Sequence, residues 1–158
     1  SHLGVRGKTG IGYEVGALER ELRDYLGFGT GHNAVIVGVG SLGAALIRDR
    51  GLQRYGLNIV AGIDTNADLL GTRVGDIVIS GYDALPGLVV DHDAAIGIIT
   101  VPARYAQDAA DRLVEAGVRA IWNFTPFRIR VPEGVVITNT SIYSHLAVMY
   151  NRIDSARQ

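Results

Sequence analysis

The run Asn33-Ala34-Val35-Ile36-Val37, apolar and β-branched, passes directly into Gly38-Val39-Gly40-Ser41-Leu42-Gly43. No other feature limits the possible folds so strongly. The run predicts a short strand buried on both faces, and the G-x-G-x-x-G turn predicts a tight change of direction into a helix. Gly38 permits the turn, Gly40 lets the backbone approach a bound group, and Gly43 lets the helix pack against the sheet. The helix start offers unpaired N–H groups and a partial positive charge, which suit a pyrophosphate. Glycine supplies 21 of the 158 residues, so a turn of this kind also arises as a plain connection. Its context argues for more, because a second apolar segment, Leu57 to Ile63, ends at Asp64 and is followed by Thr65. A carboxylate there accepts hydrogen bonds from adenosine ribose hydroxyls and repels a 2′-phosphate. The combination points to a dinucleotide site that takes NAD(H) over NADP(H), although Asp64 could also serve as a turn or cap residue. Arg73, the nearest downstream cation, is too far along the loop to reverse that preference.

The rest of the chain supplies a fold around this unit. Residues 1–12 hold four glycines and no apolar period, and read as a loop or tail. Val15, Leu18, Leu22, Tyr25 and Leu26 recur at helical spacing, with Gly27 and Gly29 suited to ending that helix. A helix is expected from Ser41 to Arg50, with Leu42, Ala45 and Leu46 inward. Further strands are expected at Asp76 to Ile79, Ala94 to Thr100, Ala120 to Asn123 and Val135 to Thr138. Ala103 to Ala116 reads as a helix, with Gly117 past its end. Strands alternating with helices predict an α/β domain of Rossmann type, doubly wound on a mostly parallel sheet. The last helix, from Ile142 to Arg157, carries one stripe of Ile142, Leu146, Met149 and Ile153 and a second apolar edge of Tyr143, Ala147 and Tyr150. Such width fits either a broad core-facing helix or one packed between two surfaces, one of them from a partner subunit.

Composition excludes several classes. At 47% hydrophobic and 20% charged the chain is an ordinary globular domain, and its longest apolar runs fall far short of a membrane span. No secretory leader is evident, so a soluble cytoplasmic protein is expected. The absence of cysteine removes disulfides, thiolate metal sites and thiol switches. A formal net charge of −1 gives no general case for nucleic-acid binding by this segment. His2, His32, His92 and His145 are scattered without ligand spacing, and Val39 breaks the G-x-S-x-G pattern that would make Ser41 a nucleophile. No second domain is present to hold a substrate over a nicotinamide, which argues against catalysis.

Taken with their neighbours, these motifs resemble the Rex family of redox-sensing transcriptional repressors. The resemblance rests on Gly7-Lys8-Thr9-Gly10-Ile11-Gly12-Tyr13-Glu14-Val15, on Val37 to Leu46, and on Ile99-Thr100-Val101-Pro102-Ala103. Ala120-Ile121-Trp122-Asn123-Phe124-Thr125-Pro126 and Val131-Pro132-Glu133 complete it. It implies an N-terminal winged-helix DNA-binding domain, a C-terminal NAD(H)-binding domain, and homodimers joined by a swapped C-terminal helix. NADH would release such a protein from operator DNA, and NAD⁺ would permit binding. Residues 1–12 would be the remnant of the linker after a winged helix absent from this chain, 13–141 the nucleotide domain, and 142–158 the dimerisation helix. Operator DNA would then be reached only through that N-terminal domain, with no membrane involved. The resemblance assigns the pyrophosphate to Gly38 through Gly43 and the adenosine ribose to Asp64 and Thr65. Thr100, Val101, Pro102 and Ala103 would line the nicotinamide side with Asn123, Phe124, Thr125 and Pro126. Some relatives carry an acidic and then an aromatic residue before the last helix, where this chain has Ser141-Ile142, so Ile142 would supply only an aliphatic wall. The tyrosine that some place after the third strand falls at Ser80, with Tyr82 two positions on. Two other readings share the glycine turn: the cofactor domain of an NAD-dependent dehydrogenase or reductase, and a nucleotide domain of the CoA-ligase type, which Asp64 disfavours.

Overall fold

The computed structural model describes residues 31–157, together with Ala17 and Leu18, which are helical. The tail and the rest of the leading helix expected from Tyr13 lie outside the described residues. Seven strands form one sheet: β1 (His32–Val37), β2 (Leu57–Ile63), β3 (Arg73–Val74), β4 (Ile77–Ser80), β5 (Ala94–Ile99), β6 (Ala120–Asn123) and β7 (Val136–Asn139). Their order is β3-β4-β2-β1-β5-β6-β7. Every pairing is parallel except β3 with β4. The helices are α1 (Ser41–Arg48), α2 (Arg50–Arg54), α3 (Leu85–Asp91), α4 (Ala106–Ala116) and α5 (Ile142–Ala156). Short 3₁₀ turns at Tyr82–Ala84 and Ala103–Tyr105 lead into α3 and α4. This is the doubly wound, mostly parallel architecture that the sequence pattern predicts.

β1 explains why the sheet has two cores. Ala34, Val35, Ile36 and Val37 are all buried, and successive side chains leave a strand on opposite faces. Val35 and Val37 join Ile63, Leu85, Val89, Ile99, Ala106, Ala110 and Leu113 on the α3–α4 face. Ala34 and Ile36 join Ile98 on the other face, where Leu46, Ile47, Trp122 and Phe124 pack. β1 therefore reads as a continuous apolar run rather than an alternating one. It lies between β2 and β5, so the connections leave it in opposite directions and a crevice opens at the carboxyl ends of β1 and β5.

Several local expectations shift. The helix predicted from Ser41 to Arg50 breaks at Asp49, which is extended and whose carboxylate accepts the Gly51 N–H at 3.1 Å to cap α2. In α1 the residue set deepest against the sheet is Gly43, with Ala44 and Ile47 beside it, while Leu42 and Ala45 are exposed. A glycine at the closest point of approach rotates the inward stripe toward itself and its i+4 neighbour. The expected strands at Asp76 and Val135 each begin one residue later, and the two-residue β3 lacks the length to show a period. Helix α3 was hidden by Pro86 and Gly87, although proline suits the first turn where it sits. Helix α4 buries Ala106, Ala109, Ala110 and Leu113 and ends at Gly117, whose φ of +114° makes it the left-handed cap.

Helix α4 comes close to the sheet because β5 carries Gly97 beneath it. A Cβ on Gly97 would lie 2.6 Å from Leu113 Cδ1. Leu113→Ala empties that contact and is expected to destabilise the domain by about 3 kcal/mol. The double variant Gly97→Ala/Leu113→Ala places a methyl in the vacated space. Chemical denaturation of both single variants and the double should therefore show a favourable coupling of about 1 kcal/mol.

Candidate functional site

The crevice is built by close backbone approach. Gly38 has φ +98°, a conformation that glycine adopts without a Cβ clash. A Cβ there would also lie 2.9 Å from the Thr100 carbonyl carbon and the Val101 nitrogen. At Gly43 a Cβ would run into the Gly38 carbonyl oxygen and come within 3.0 Å of Thr100 Oγ1. The Thr100 hydroxyl donates to the Gly38 carbonyl at 2.5 Å, which ties the loop after β5 to the glycine turn after β1. Gly40 differs from its neighbours: a Cβ on it would meet nothing within 4 Å. Its lack of a side chain serves no packing inside the protein and leaves the space above the turn open.

Asp64 closes the other side. Its Oδ2 accepts the Val39 N–H at 2.7 Å and its Oδ1 accepts the Asn66 N–H at 2.8 Å. One carboxylate thus holds the glycine turn and the loop after β2 together. Each oxygen keeps a second lone pair with which to accept from a ligand.

The loop after β6 is set by Asn123, which is fully buried. Its amide donates to the Phe127 carbonyl at 2.9 Å and to Asn139 Oδ1 at 3.0 Å. Its carbonyl accepts the Thr125 N–H at 2.9 Å and the Thr125 hydroxyl at 2.8 Å. Two donors and two acceptor sites are all that this side chain offers, so Asn123 shapes the loop and has no capacity left for a ligand. Beside it, Trp122 donates from Nε1 to Thr140 Oγ1 at 3.0 Å, and its ring lies 4.6 Å from that of Phe124.

Together these loops enclose a cleft of about 840 Å³. Of the residues expected from sequence, Gly38, Gly40, Leu42, Asp64, Thr65, Thr100, Val101, Pro102, Ala103, Phe124, Thr125 and Pro126 line it. Five do not. Val39 sends its side chain into the core beside Val74 and Ile79 and offers only its backbone. Ser41 is exposed at the start of α1, Gly43 is buried under the turn, and Asn123 is committed as described. Ile142 is 66% exposed outside the wall, and Tyr143, the next residue of α5, lines the cleft in its place. Val37, Tyr82, Tyr105 and Asp108 also line it. The rule that ligands meet the carboxyl ends of strands could have found Tyr82, which follows β4. No local signal marks Asp108, whose placement depends on how α4 packs.

Tyr82 sits within a charged cluster. Arg112 lies over its ring at 4.3 Å and pairs with Asp108 at 2.9 Å. Burial raises the Tyr82 hydroxyl above its ordinary pKa; the Asp108 charge adds to the rise, Arg112 opposes it and Asp64 adds a smaller part. Arg112 thus joins Tyr82 and Asp108 at one part of the cleft wall. Among the described residues no group of three or more acidic, histidine or cysteine side chains could hold a metal ion, and no helix is long and apolar enough to cross a membrane.

Comparison with known proteins is consistent with this geometry. Residues 30–127 match the family model described as CoA binding domain. The redox-sensing transcriptional repressor Rex of Bacteroides fragilis is 49% identical over 154 residues, covering 98% of this chain and 70% of that protein. Its counterpart in Porphyromonas gingivalis is 49% identical over 155 residues, covering 98% and 71%. Among solved structures, RSP in complex with β-NAD⁺ and operator DNA superposes with a TM-score of 0.82 at 32% identity, covering 96% of this chain and 70% of that one. RSP in complex with β-NADH gives a TM-score of 0.79, also at 32% identity, with 94% and 72% covered. The chain belongs to the Rex family of redox-sensing transcriptional repressors, built on a nucleotide-binding domain of the CoA binding class.

Proposed function

We propose that the cleft holds NAD(H) and that this chain is the part of a repressor that reads the NADH/NAD⁺ ratio, NADH favouring release from operator DNA. The observation that carries the reading is the open space above Gly40, framed by Asp64 at the end of β2 and by a helix start behind the turn. A pyrophosphate fits that cradle by size and charge, and Asp64 has the free acceptor sites that ribose hydroxyls need. The structures of RSP with β-NAD⁺ and β-NADH support the same assignment. Val101, Pro102, Ala103, Phe124 and Pro126 form the opposite, apolar end. Three strand spacings, roughly 14 Å, separate β6 from β2, so the carboxylate of Asp64 gives little help to a cationic ring there. The bound group supplies the redox signal, and the protein's part is to hold the two ring forms with different affinity. We assign no catalysis to the site, and we place the protein in the cytoplasm with the DNA that its family regulates.

Homodimers follow from α5. None of its residues is buried, and Ile142, Tyr143, Val148, Met149, Tyr150 and Ile153 are exposed along it. An apolar helix without a cover fits the dimerisation helix expected for residues 142–158, carried across to a second copy. Residues 1–12 and 13–141 keep their proposed parts as linker remnant and nucleotide domain, operator contact belonging to a winged helix outside this chain.

Isothermal titration should give NADH at least tenfold tighter than NAD⁺, since burying the charged ring without a partner is costly; equal affinities would defeat the sensor reading. Gly40→Ala should leave the melting temperature nearly unchanged while weakening NADH by roughly tenfold, as one methyl enters the pyrophosphate space. The double variant Met149→Glu/Ile153→Glu should sediment as a monomer where the parent is a dimer. The CoA binding match favours one rival ligand, so CoA belongs in the same titrations, and CoA binding tighter than NADH would replace the assignment.

A further inference from the structure

Tyr82 and Asp108 are brought to the cleft by two elements that are remote in sequence, the loop after β4 and the first turns of α4. Neither is needed by the core: Tyr82 is half-buried at the rim of the cluster that Leu85 and Val89 anchor, and Asp108 is exposed. Arg112 covers one face of the Tyr82 ring, so a ligand meets that ring by its other face or its edge. Arg112 ties the two residues together, covering the Tyr82 ring and pairing with Asp108. Tyr82 follows β4, the strand paired with the β2 that leads to Asp64 in the proposed adenosine half. The ion pair of Asp108 with Arg112 runs from Oδ2 to the guanidinium Nε. That contact leaves acceptor sites on a carboxylate that offers about four. An ionised carboxylate accepts hydrogen bonds and cannot donate them. A wall made of an aromatic ring and a pure acceptor matches a flat heterocycle with an exocyclic amino group.

Resting on the NAD(H) reading, we infer that Tyr82 and Asp108 form the purine subsite, the Tyr82 ring packing on the base and the Asp108 carboxylate accepting from its 6-amino group. Adenine meets this wall with an N–H donor. Hypoxanthine presents a 6-oxo oxygen instead, and two acceptors face each other. The subsite therefore selects the adenine dinucleotide by the sign of one hydrogen bond. A partner made to donate reverses that sign, because an asparagine amide can give a proton to the 6-oxo group.

The test titrates the protein with NADH and with reduced nicotinamide hypoxanthine dinucleotide, which differ only in the base. NADH is expected to bind roughly five- to tenfold tighter, the scale of one partly exposed hydrogen bond to a charged group. Asp108→Asn should bring the two ligands within about twofold, through the added amide donor. Arg112→Gln, which breaks the ion pair and spares the acceptor, should keep the parent's discrimination. Equal affinity in the parent overturns the inference. So does discrimination that survives in Asp108→Asn, or that is lost in Arg112→Gln, since the acceptor would then not be its source. If NADH itself fails to bind the parent, the underlying cofactor reading falls and the subsite falls with it. Circular dichroism of the variants checks that each is folded before titration.

Discussion

The contact between the glycine turn and the loop after β5 sets the geometry from which the rest of the molecule follows. Gly38, Gly43 and Thr100 approach so closely that a methyl on either glycine would collide with backbone, and the Thr100 hydroxyl holds the Gly38 carbonyl in place. β1 and β5 must therefore end level with each other, and α1 must begin directly above them. The row continues through the sheet. Five of the seven strands are followed by a residue whose N–H donates to the last carbonyl of its neighbour: Asp64 to Ser80, Gly38 to Ile63, Thr100 to Val37, Phe124 to Ile99 and Thr140 to Asn123. The loops that line the cleft are thus hung from one hydrogen-bonded edge. A shift at any of them is resisted by the next.

The cleft that results is electrostatically uneven. Of its acidic side chains, Asp64 follows β2 and Asp108 joins Tyr82 through Arg112, while the β5–β6 side is walled by Val101, Pro102, Phe124 and Pro126. Polar groups at that second end are mostly spent on structure, as Asn123 shows with four bonds inside its own loop and to Asn139. On the proposed reading the division is one of labour: an anchoring half with free acceptors, and a half whose apolar surface responds to charge on the group it covers.

How much of this could be read from sequence varied with the range of the interaction. The glycine turn, Asp64 and the strands β1, β2 and β6 were legible because each depends on a local run of residues and a single change of chemistry. The fold class followed from the same alternation. Helix α3 was not, since Pro86 and Gly87 interrupt a pattern that the surrounding packing sustains. Site residues divided in the same way. Thr100 to Ala103 and Phe124 to Pro126 sit in loops that strands deliver directly to the cleft, whereas Asn123 looks identical in sequence to a ligand-binding residue until its partners are seen. Tyr143 rather than Ile142 borders the cleft because the first turn of α5 sets one neighbour beside it and the other away, both staying exposed. Asp108 depended on the packing of α4 against β5, which Gly97 permits and no local motif announces.

Helix α5 has 15 residues and buries none of them. A helix of that length is marginal in water, because nucleation is unfavourable and little is gained without tertiary packing. If the proposed second copy covers it, most of the free energy that holds it comes from that surface, and its ordering obeys mass action. Ser141 caps its first turn through the Ser144 N–H at 3.3 Å, directly after the Thr140 whose hydroxyl accepts from Trp122. In the proposed dimer the amount of ordered helix is tied to the concentration of the second copy, and the start of α5, where Tyr143 lines the cleft, feels that concentration through a single turn of backbone.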